Sequence, residues 1–133
     1  MLFKYSLLVL IFAFCTSTTK GQIDTINIDS SNKIRKEYIY YLNGLPRSVQ
    51  IFRRDTIIFQ MGWYANGFPN YIYNYCDGTI CGVSKHFYET GQLKYTAEYK
   101  NGVLNGKRIW YSQNQRRQSI QYYKNGQEIK KTP

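Results

Sequence analysis

An internal repeat of 23 or 24 residues constrains the fold of this chain more than any other feature. Two columns of aromatic residues and two columns of turn residues recur together along the sequence. Such a repeat predicts stacked units, each of which buries its apolar side chains only against its neighbours. The first column consists of the pairs Tyr40-Tyr41, Trp63-Tyr64, Phe87-Tyr88 and Trp110-Tyr111, each followed three residues later by Gly44, Gly67, Gly91 or Asn114. The second consists of Phe52, Tyr75, Tyr99 and Tyr123, each followed by Arg54-Asp55, Asp77-Gly78, Asn101-Gly102 or Asn125-Gly126.

Each unit is predicted to contain two strands and two turns. Asn-Gly and Asp-Gly supply the positive φ angles that tight hairpin turns require. The stretches between them are rich in Tyr, Ile, Val, Phe and Thr, as strands are. No helical periodicity stands out, so the sequence predicts an all-β fold. The expected architecture is an elongated, single-layer antiparallel meander of repeated β-hairpins, with both faces partly wet.

The aromatic columns are expected to pack one unit against the next, because a tyrosine ring can pack while its hydroxyl stays hydrated. The column Tyr41, Tyr64, Tyr88 and Tyr111 is interpreted first as a packing ladder and only second as a ligand platform. The packing residues expected are Trp63, Tyr64, Phe87, Tyr88, Trp110, Tyr111, Tyr75, Tyr99 and Tyr123. The turn glycines expected are Gly44, Gly67, Gly78, Gly91, Gly102 and Gly126, and a further glycine repeats at Gly82 and Gly106.

The first 21 residues have the pattern of a signal-peptide helix. Lys4 precedes an apolar run at 5–14, and small and polar residues follow it. The run is too short to span a bilayer. Cleavage after Gly21 would leave Gln22 as the N-terminus of a periplasmic or secreted protein without a transmembrane span. The alternative is lipidation of Cys15, which would give an outer-membrane lipoprotein.

The rest of the chain is divided by the repeat. Residues 22–37 are interpreted as an N-terminal linker or capping segment, and 38–129 as the repeat domain. Residues 130–133 form a C-terminal tail. The units are expected at 38–60, 61–83, 84–106 and 107–129, with the first degraded and the last cut short.

The charge balance favours an anionic partner. Loss of the first 21 residues removes Lys4 and Lys20, so the 18 basic residues fall to 16 against 8 acidic ones, a net charge of +8. Lipid headgroups, lipopolysaccharide, acidic glycans and acidic proteins fit such a charge, whereas export disfavours nucleic acid. The alternative is that the charge only keeps a tyrosine-rich surface soluble. The candidate contacts cluster late in the chain, at Lys107, Arg108, Arg116, Arg117 and Lys124.

Two cysteines flank one of the tight turns. Cys76 and Cys81 enclose Asp77-Gly78-Thr79-Ile80, and an exported chain meets an oxidising environment. The sequence therefore predicts a disulfide across this turn, with two free thiols as the alternative.

Catalytic chemistry is not evident in the sequence. His86 is the sole histidine and has no evident Ser, Cys or Asp partner, so we interpret it as structural. A zinc site needs several His or Cys ligands, and the chain beyond residue 21 offers only His86, Cys76 and Cys81. We expect no catalytic residue, no metal and no cofactor, and therefore a protein that is not an enzyme.

The repeat unit resembles the MORN repeat, particularly the variant repeats of bacterial proteins known as YwqK-type putative antitoxins. The matching segments, within residues 38–129, are Trp63-Tyr64-Ala65-Asn66-Gly67, Phe87-Tyr88-Glu89-Thr90-Gly91 and Tyr99-Lys100-Asn101-Gly102-Val103-Leu104-Asn105-Gly106. The resemblance implies a β-hairpin repeat fold and a role in membrane or protein interaction, and it implies no common active site. Asn114 in place of the turn glycine and Arg54-Asp55 in place of Asn-Gly depart from the pattern.

Three functions remain open at this point. The first is a non-catalytic exported module that binds a partner protein or an anionic membrane or envelope surface. The second is an immunity or antitoxin role, which the resemblance implies. The third is a subunit that assembles by β-augmentation through the open edges of its sheet. The sequence does not specify the oligomeric state.

Overall fold

A computed structural model describes residues 23–29 and 33–130 and folds them into ten antiparallel strands of one open sheet. The strands follow one another across the sheet in chain order, and no helix occurs in the described ranges. The predicted all-β antiparallel meander is thereby confirmed. The predicted signal peptide, with Cys15, lies outside the described residues. The strands are β1 (Ile23–Asp29), β2 (Ile34–Tyr40), β3 (Pro46–Arg53), β4 (Thr56–Trp63), β5 (Pro69–Cys76), β6 (Thr79–Phe87), β7 (Leu93–Lys100), β8 (Val103–Tyr111), β9 (Arg117–Lys124) and β10 (Gln127–Ile129).

The N-terminal segment takes part in the sheet. β1 pairs along its length with β2, so most of residues 22–37 belongs to paired strands. β1 forms one edge of the sheet, and the three-residue β10 forms the other.

The tight turns lie along one side of the sheet. They join β3 to β4, β5 to β6, β7 to β8 and β9 to β10, and both central residues of each have positive φ. This is the geometry of the type I′ hairpin turn, whose twist matches that of the flanking strands. The first such turn adopts it without glycine, since Arg54 has φ 49° and Asp55 has φ 62°.

Longer turns lie along the opposite side of the sheet, at 41–45, 64–68, 88–92 and 112–116. In each, the N–H of the first residue donates to the carbonyl of the fifth, as from Tyr41 to Leu45 at 2.8 Å. The N–H of the fourth residue donates back to the first carbonyl, as from Gly44 to Tyr41 at 3.0 Å. The fourth residue has positive φ in every case, and it is Gly44, Gly67, Gly91 and Gln115 in turn.

The predicted alignment of the last long turn was wrong by one residue. Gln115, with φ 63°, occupies the left-handed position, and Asn114 does not. The turn begins at Ser112, whose N–H donates to the Arg116 carbonyl at 2.8 Å. β6 and β8 each have nine residues, whereas β4 has eight. Corresponding residues of the units that contain β6 and β8 are therefore 24 positions apart in the sequence. Tyr111 therefore corresponds to Phe87, and Trp110 corresponds to His86.

The strand pairings give the sheet two chemically different faces. One carries Tyr71, Tyr73, Tyr75, Tyr95, Tyr99 and Tyr123, and we name it the tyrosine face. The other carries Lys85, Lys100, Lys107 and Lys124, and we name it the lysine face. Along the lysine face one continuous row runs across seven strands, through Val49, Met61, Ile72, Lys85, Thr96, Ile109 and Ile120.

Few side chains are buried, because the sheet has no second layer. Val49, 5% exposed, and Ala97, fully buried, are the buried hydrophobic residues of the described chain. Ser84 beside Ala97 is 1% exposed. Most rings are only half-buried, so the fold depends on contacts between neighbouring strands and not on one central core.

Candidate binding surfaces

The tyrosine face holds a stack of rings that crosses four strands. Tyr71, His86, Tyr95 and Trp110 are successive cross-strand partners on β5, β6, β7 and β8. The His86 and Tyr95 rings are nearly parallel, with centroids 4.3 Å apart and 14° between their planes. The Tyr95 and Trp110 centroids lie 4.6 Å apart, and those of Tyr71 and His86 lie 6.2 Å apart. The planes of the other two pairs are tilted by 49° and 37°. Each ring therefore packs against its cross-strand neighbours and leaves part of its edge to meet solvent or a ligand.

Amide side chains connect the tyrosine hydroxyls on this face. Gln60 donates from Nε2 to the Tyr71 hydroxyl at 3.1 Å and accepts from the Tyr75 hydroxyl at 2.8 Å. Near the other end, Trp110 Nε1 donates to Gln121 Oε1 at 2.9 Å. Gln121 Nε2 in turn lies 3.3 Å from each carboxylate oxygen of Glu128. The face therefore presents hydroxyl and amide groups along its length.

His86 and Tyr73 share a hydrogen bond of 2.9 Å between Nε2 and the hydroxyl. Burial, together with the charges of Arg108 and Lys94, lowers the pKa of His86 to about 4. Burial also raises the pKa of Tyr73 to about 12, helped by neighbouring tyrosines. Both groups are therefore neutral at pH 7, and the pair serves the packing of the ring stack.

Arg108 lies on the tyrosine face between two rings. Its guanidinium carbon is 5.5 Å from the Tyr95 centroid and 5.1 Å from the Tyr123 centroid. Its Nη1 lies 3.4 Å from the Tyr123 hydroxyl. Its Nε is buried and has no hydrogen-bond acceptor among the described residues. Two aromatic side chains on the strands either side thus hold a positively charged group in place.

On the lysine face, exposed cations lie beside aliphatic and aromatic side chains. Lys85 pairs with Ile72, and Lys107 with Tyr122. Glu98 is the one acidic residue in β6 to β9, and its Oε2 accepts the Lys107 backbone N–H at 3.0 Å. This carboxylate is therefore already engaged at the irregular pairing of β8, next to Gly106.

The predicted basic cluster is divided between surfaces. Lys107 and Lys124 lie on the lysine face, and Arg108 lies on the tyrosine face. Arg116 belongs to the last long turn, and Arg117 begins β9 beside it. The five residues therefore do not form a single patch.

The long turns are joined to one another by a ladder of tyrosine hydroxyls. Each donor is the first residue of a long turn. Its hydroxyl donates, at 2.7 to 2.9 Å, to the backbone carbonyl of the residue that ends the strand before the next long turn. The donors are Tyr41, Tyr64 and Tyr88, and the acceptors are the carbonyls of Trp63, Phe87 and Tyr111. Asn43 and Asn66 add side-chain bonds to the carbonyls of Ala65 and Glu89 in the following turn. Of the predicted packing residues, Tyr64 and Tyr88 are thus donors in this ladder, whereas Tyr111 supplies a carbonyl.

The remaining predicted residues take places that the strand pairings explain. Tyr75, Tyr99, Tyr123 and Trp110 lie on the tyrosine face. Cys76 and Cys81 are joined in a disulfide, with a Cα–Cα distance of 5.7 Å. Six glycines expected in turns, Gly44, Gly67, Gly78, Gly91, Gly102 and Gly126, all have positive φ.

Strand alternation in the sequence places Arg108 and Trp110 on one face and Lys107 and Ile109 on the other, as in the structure. It did not reveal that one face is rich in tyrosine and the other in lysine. The alignment between strands was not predictable, because the pairings at Ile72–Asn74 and Ala97–Tyr99 place three residues of one strand opposite one residue of the other. Two extra residues leave each later side chain on the face that alternation predicts, but they change its cross-strand partner.

Two further observations bear on the kind of site present. Among residues 23–29 and 33–130, no group of three or more His, Cys, Asp and Glu residues could hold a metal ion. The same ranges contain no helix that is long and apolar enough to cross a membrane.

The fold and surfaces define an open, single-sheet, all-β protein with one tyrosine-rich and one lysine-rich face. Comparison with protein-family models, curated proteins and solved structures finds no match for this chain. The MORN resemblance accordingly stays a prediction.

Proposed function

We propose that the chain is a non-catalytic, exported binding module, periplasmic or secreted, whose lysine face contacts an anionic envelope surface or an acidic protein. The observation that carries the proposal is the charge of that face. Lys85, Lys100, Lys107 and Lys124 are exposed there, and the single acid of β6 to β9 already accepts a backbone hydrogen bond.

The geometry of the face suits contact with an extended surface. Four exposed lysines lie on one side of an open sheet, and Ile72, Ile109 and Ile120 lie in the same cross-strand row as Lys85. A lysine near an anionic membrane contributes about 1 kcal/mol, and this contribution falls within a Debye length. Several such contacts together give measurable and salt-dependent binding.

Vesicle binding across a salt series tests the proposal. Residues 22–133 are mixed with phosphatidylcholine vesicles with and without phosphatidylglycerol, and with poly-L-glutamate as an acidic polypeptide. We expect binding to the anionic vesicles or the polypeptide that weakens as salt is raised. Lys85→Gln, Lys107→Gln and Lys124→Gln together should abolish it.

The matched control removes the same charge from turns. Lys33, Arg54 and Arg116 are exposed, and their triple replacement by glutamine leaves the lysine face intact. We expect this variant to retain most of its binding. Equal losses in the two triple variants would mean that net charge alone matters, and absence of binding to both anionic probes would overturn the proposal.

A second candidate, assembly by β-augmentation, is favoured by the open edge at β1. Ile26 on this strand is 49% exposed, and β1 has a paired neighbour only on its β2 side within the described sheet. An uncovered strand edge offers backbone groups to another chain.

Light scattering after size exclusion tests this candidate. Assembly should grow with concentration, and Ile26→Lys should reduce it, because a charge on an edge strand opposes pairing. Val103→Lys is the control, since Val103 is 44% exposed but lies at a tight turn between β7 and β8. A strict monomer at all concentrations contradicts the candidate.

A further inference from the structure

Arg108 occupies a position where the fold does not require an arginine. The corresponding residue one unit earlier is Ser84, which is 1% exposed and donates to the Ala97 carbonyl at 3.3 Å. Both residues pair with Ala97, from opposite sides of β7. A small, fully buried side chain therefore satisfies the packing at this position, and the arginine needs a different explanation.

Among the described residues, no carboxylate compensates the charge of Arg108. In the part of the chain that the structure describes, the ion pairs are those of Arg35 with Glu37 and Asp55. Arg108 has no carboxylate partner there, and its buried Nε lacks an acceptor. Desolvation of a cation without an acidic partner costs stability, and the contacts with the two rings offset only part of that cost. Residues that lower stability in this way are common where function requires them.

We propose that Arg108 binds the oxyanion of an acidic polysaccharide that lies along the tyrosine face. Tyr95 and Tyr123 hold the guanidinium on either side, so little of its freedom is left to lose on binding. A guanidinium fixed in this way binds a carboxylate or sulfate through charge-assisted hydrogen bonds. This site lies on the opposite face from the lysines, and it does not depend on the function proposed for them.

The rest of the tyrosine face indicates why the ligand is a sugar chain. The face carries the hydroxyl and amide groups of Tyr75, Gln60 and Gln121. Each is bonded to a neighbour and keeps a further donor or acceptor position for a ligand. Such groups match a hydroxyl-rich ligand better than the apolar interior of a bilayer. The polar groups extend from β4 to β9, roughly 24 Å at the usual strand spacing. That length suits an extended polymer and not a single small anion.

Binding measurements with defined polymers test the proposal. Residues 22–133, with the disulfide formed, are titrated with polygalacturonate, which carries carboxylates, with heparin, which carries sulfates, and with neutral dextran. We expect at least one acidic polymer to bind and dextran not to bind. Arg108→Met should weaken that binding at least about tenfold, while its urea midpoint stays the same or rises.

Three further variants make the result specific. Arg117→Gln removes an exposed charge near the same end of the sheet and should change the affinity less than about threefold. Glu128→Gln removes the carboxylate beside Gln121 and should strengthen binding. Arg108→Lys keeps the charge but not the planar fork, and should bind weakly. It also provides the test if Arg108→Met does not fold.

Several outcomes would overturn the proposal. They are failure of both acidic polymers to bind, equal binding of dextran, and full binding by Arg108→Met and Arg108→Lys. Loss of anionic-vesicle binding in Arg108→Met, with polymer binding retained, would assign Arg108 to a membrane and equally refute the polysaccharide. By the function proposed for it, the lysine face also attracts anionic polymers. The polymer titrations are therefore run with Lys85, Lys107 and Lys124 all replaced by glutamine, so that the remaining binding depends on Arg108 and the two proposals stay separable.

Discussion

At the scale of single residues, His86 illustrates how the ring stack controls ionisation. Its imidazole lies parallel to Tyr95 and bonds to Tyr73, and Trp110 occupies the corresponding position one unit later. Protonation would place a positive charge among the rings and near Arg108 and Lys94, so burial and these cations lower its pKa to about 4. The histidine therefore acts as a neutral aromatic member of the stack.

The lowered pKa of His86 predicts a loss of stability in acid. The unfolded chain takes up this proton near pH 6.5 and the folded chain only near pH 4, so the free energy of unfolding falls between these values. Partial exposure of the ring reduces the effect to about 1–2 kcal/mol. Urea unfolding at pH 7 and pH 4.5 should show this loss in the native chain.

His86→Phe is the matched variant, because it keeps a ring in the stack and removes the titration. Its free energy of unfolding should fall less between the two pH values, since only the carboxylates then respond. An identical fall in the two proteins would show that His86 does not contribute to the pH dependence.

At the scale of strands and turns, the tyrosine ladder fixes one long turn against the next. The Tyr64 hydroxyl donates to the Phe87 carbonyl at 2.8 Å, and both groups are half-buried. Tyr64→Phe should lower the free energy of unfolding by about 1 kcal/mol, because it leaves that carbonyl without this donor. Chemical denaturation measures the change.

Tyr111→Phe is the control for the ladder. The Tyr111 carbonyl accepts from Tyr88 at 2.9 Å, and its own hydroxyl makes no hydrogen bond among the described residues. Its removal should therefore change stability by less than about 0.5 kcal/mol. Equal effects at Tyr64 and Tyr111 would contradict the ladder.

The position of Tyr111 also shows how far the sequence could predict these elements. The repeat, the tight turns and the antiparallel order follow from spacing and from Asn-Gly and Asp-Gly. The pair Trp110-Tyr111 resembles Phe87-Tyr88 in sequence, yet it lies one residue earlier in its unit. Only the backbone bonds of the turn, from Ser112 to Arg116, reveal the shift. A non-glycine residue in the left-handed position, Gln115, gave no sequence signal.

At the scale of the whole molecule, every strand pairs only with its neighbours in sequence. Removing two successive strands at corresponding turn positions should therefore leave the others able to pair. Deletion of residues 79–102 places Val103 directly after the turn Asp77-Gly78, where Thr79 stood. Lys100 pairs with Val103 as Cys76 pairs with Thr79, so the register is preserved.

We expect this deletion, combined with Cys76→Ser, to fold cooperatively, since stability in repeat proteins is a sum of unit and interface contributions. Circular dichroism and thermal unfolding measure the outcome. A lower melting temperature with a retained β spectrum agrees with the expectation. An unfolded chain would show that residues 79–102 are required for reasons beyond their contacts with neighbouring strands.

Because four exposed lysines lie on one face, amine acylation can show which face of the sheet is covered when the protein is bound to a surface. An amine-acylating reagent modifies one side of the sheet at positions 85, 100, 107 and 124. When the protein rests on a support through that side, those amines are shielded and the opposite side stays open. Mass mapping of the acylated sites would then reveal which way up the protein lies, without any label having been engineered into it.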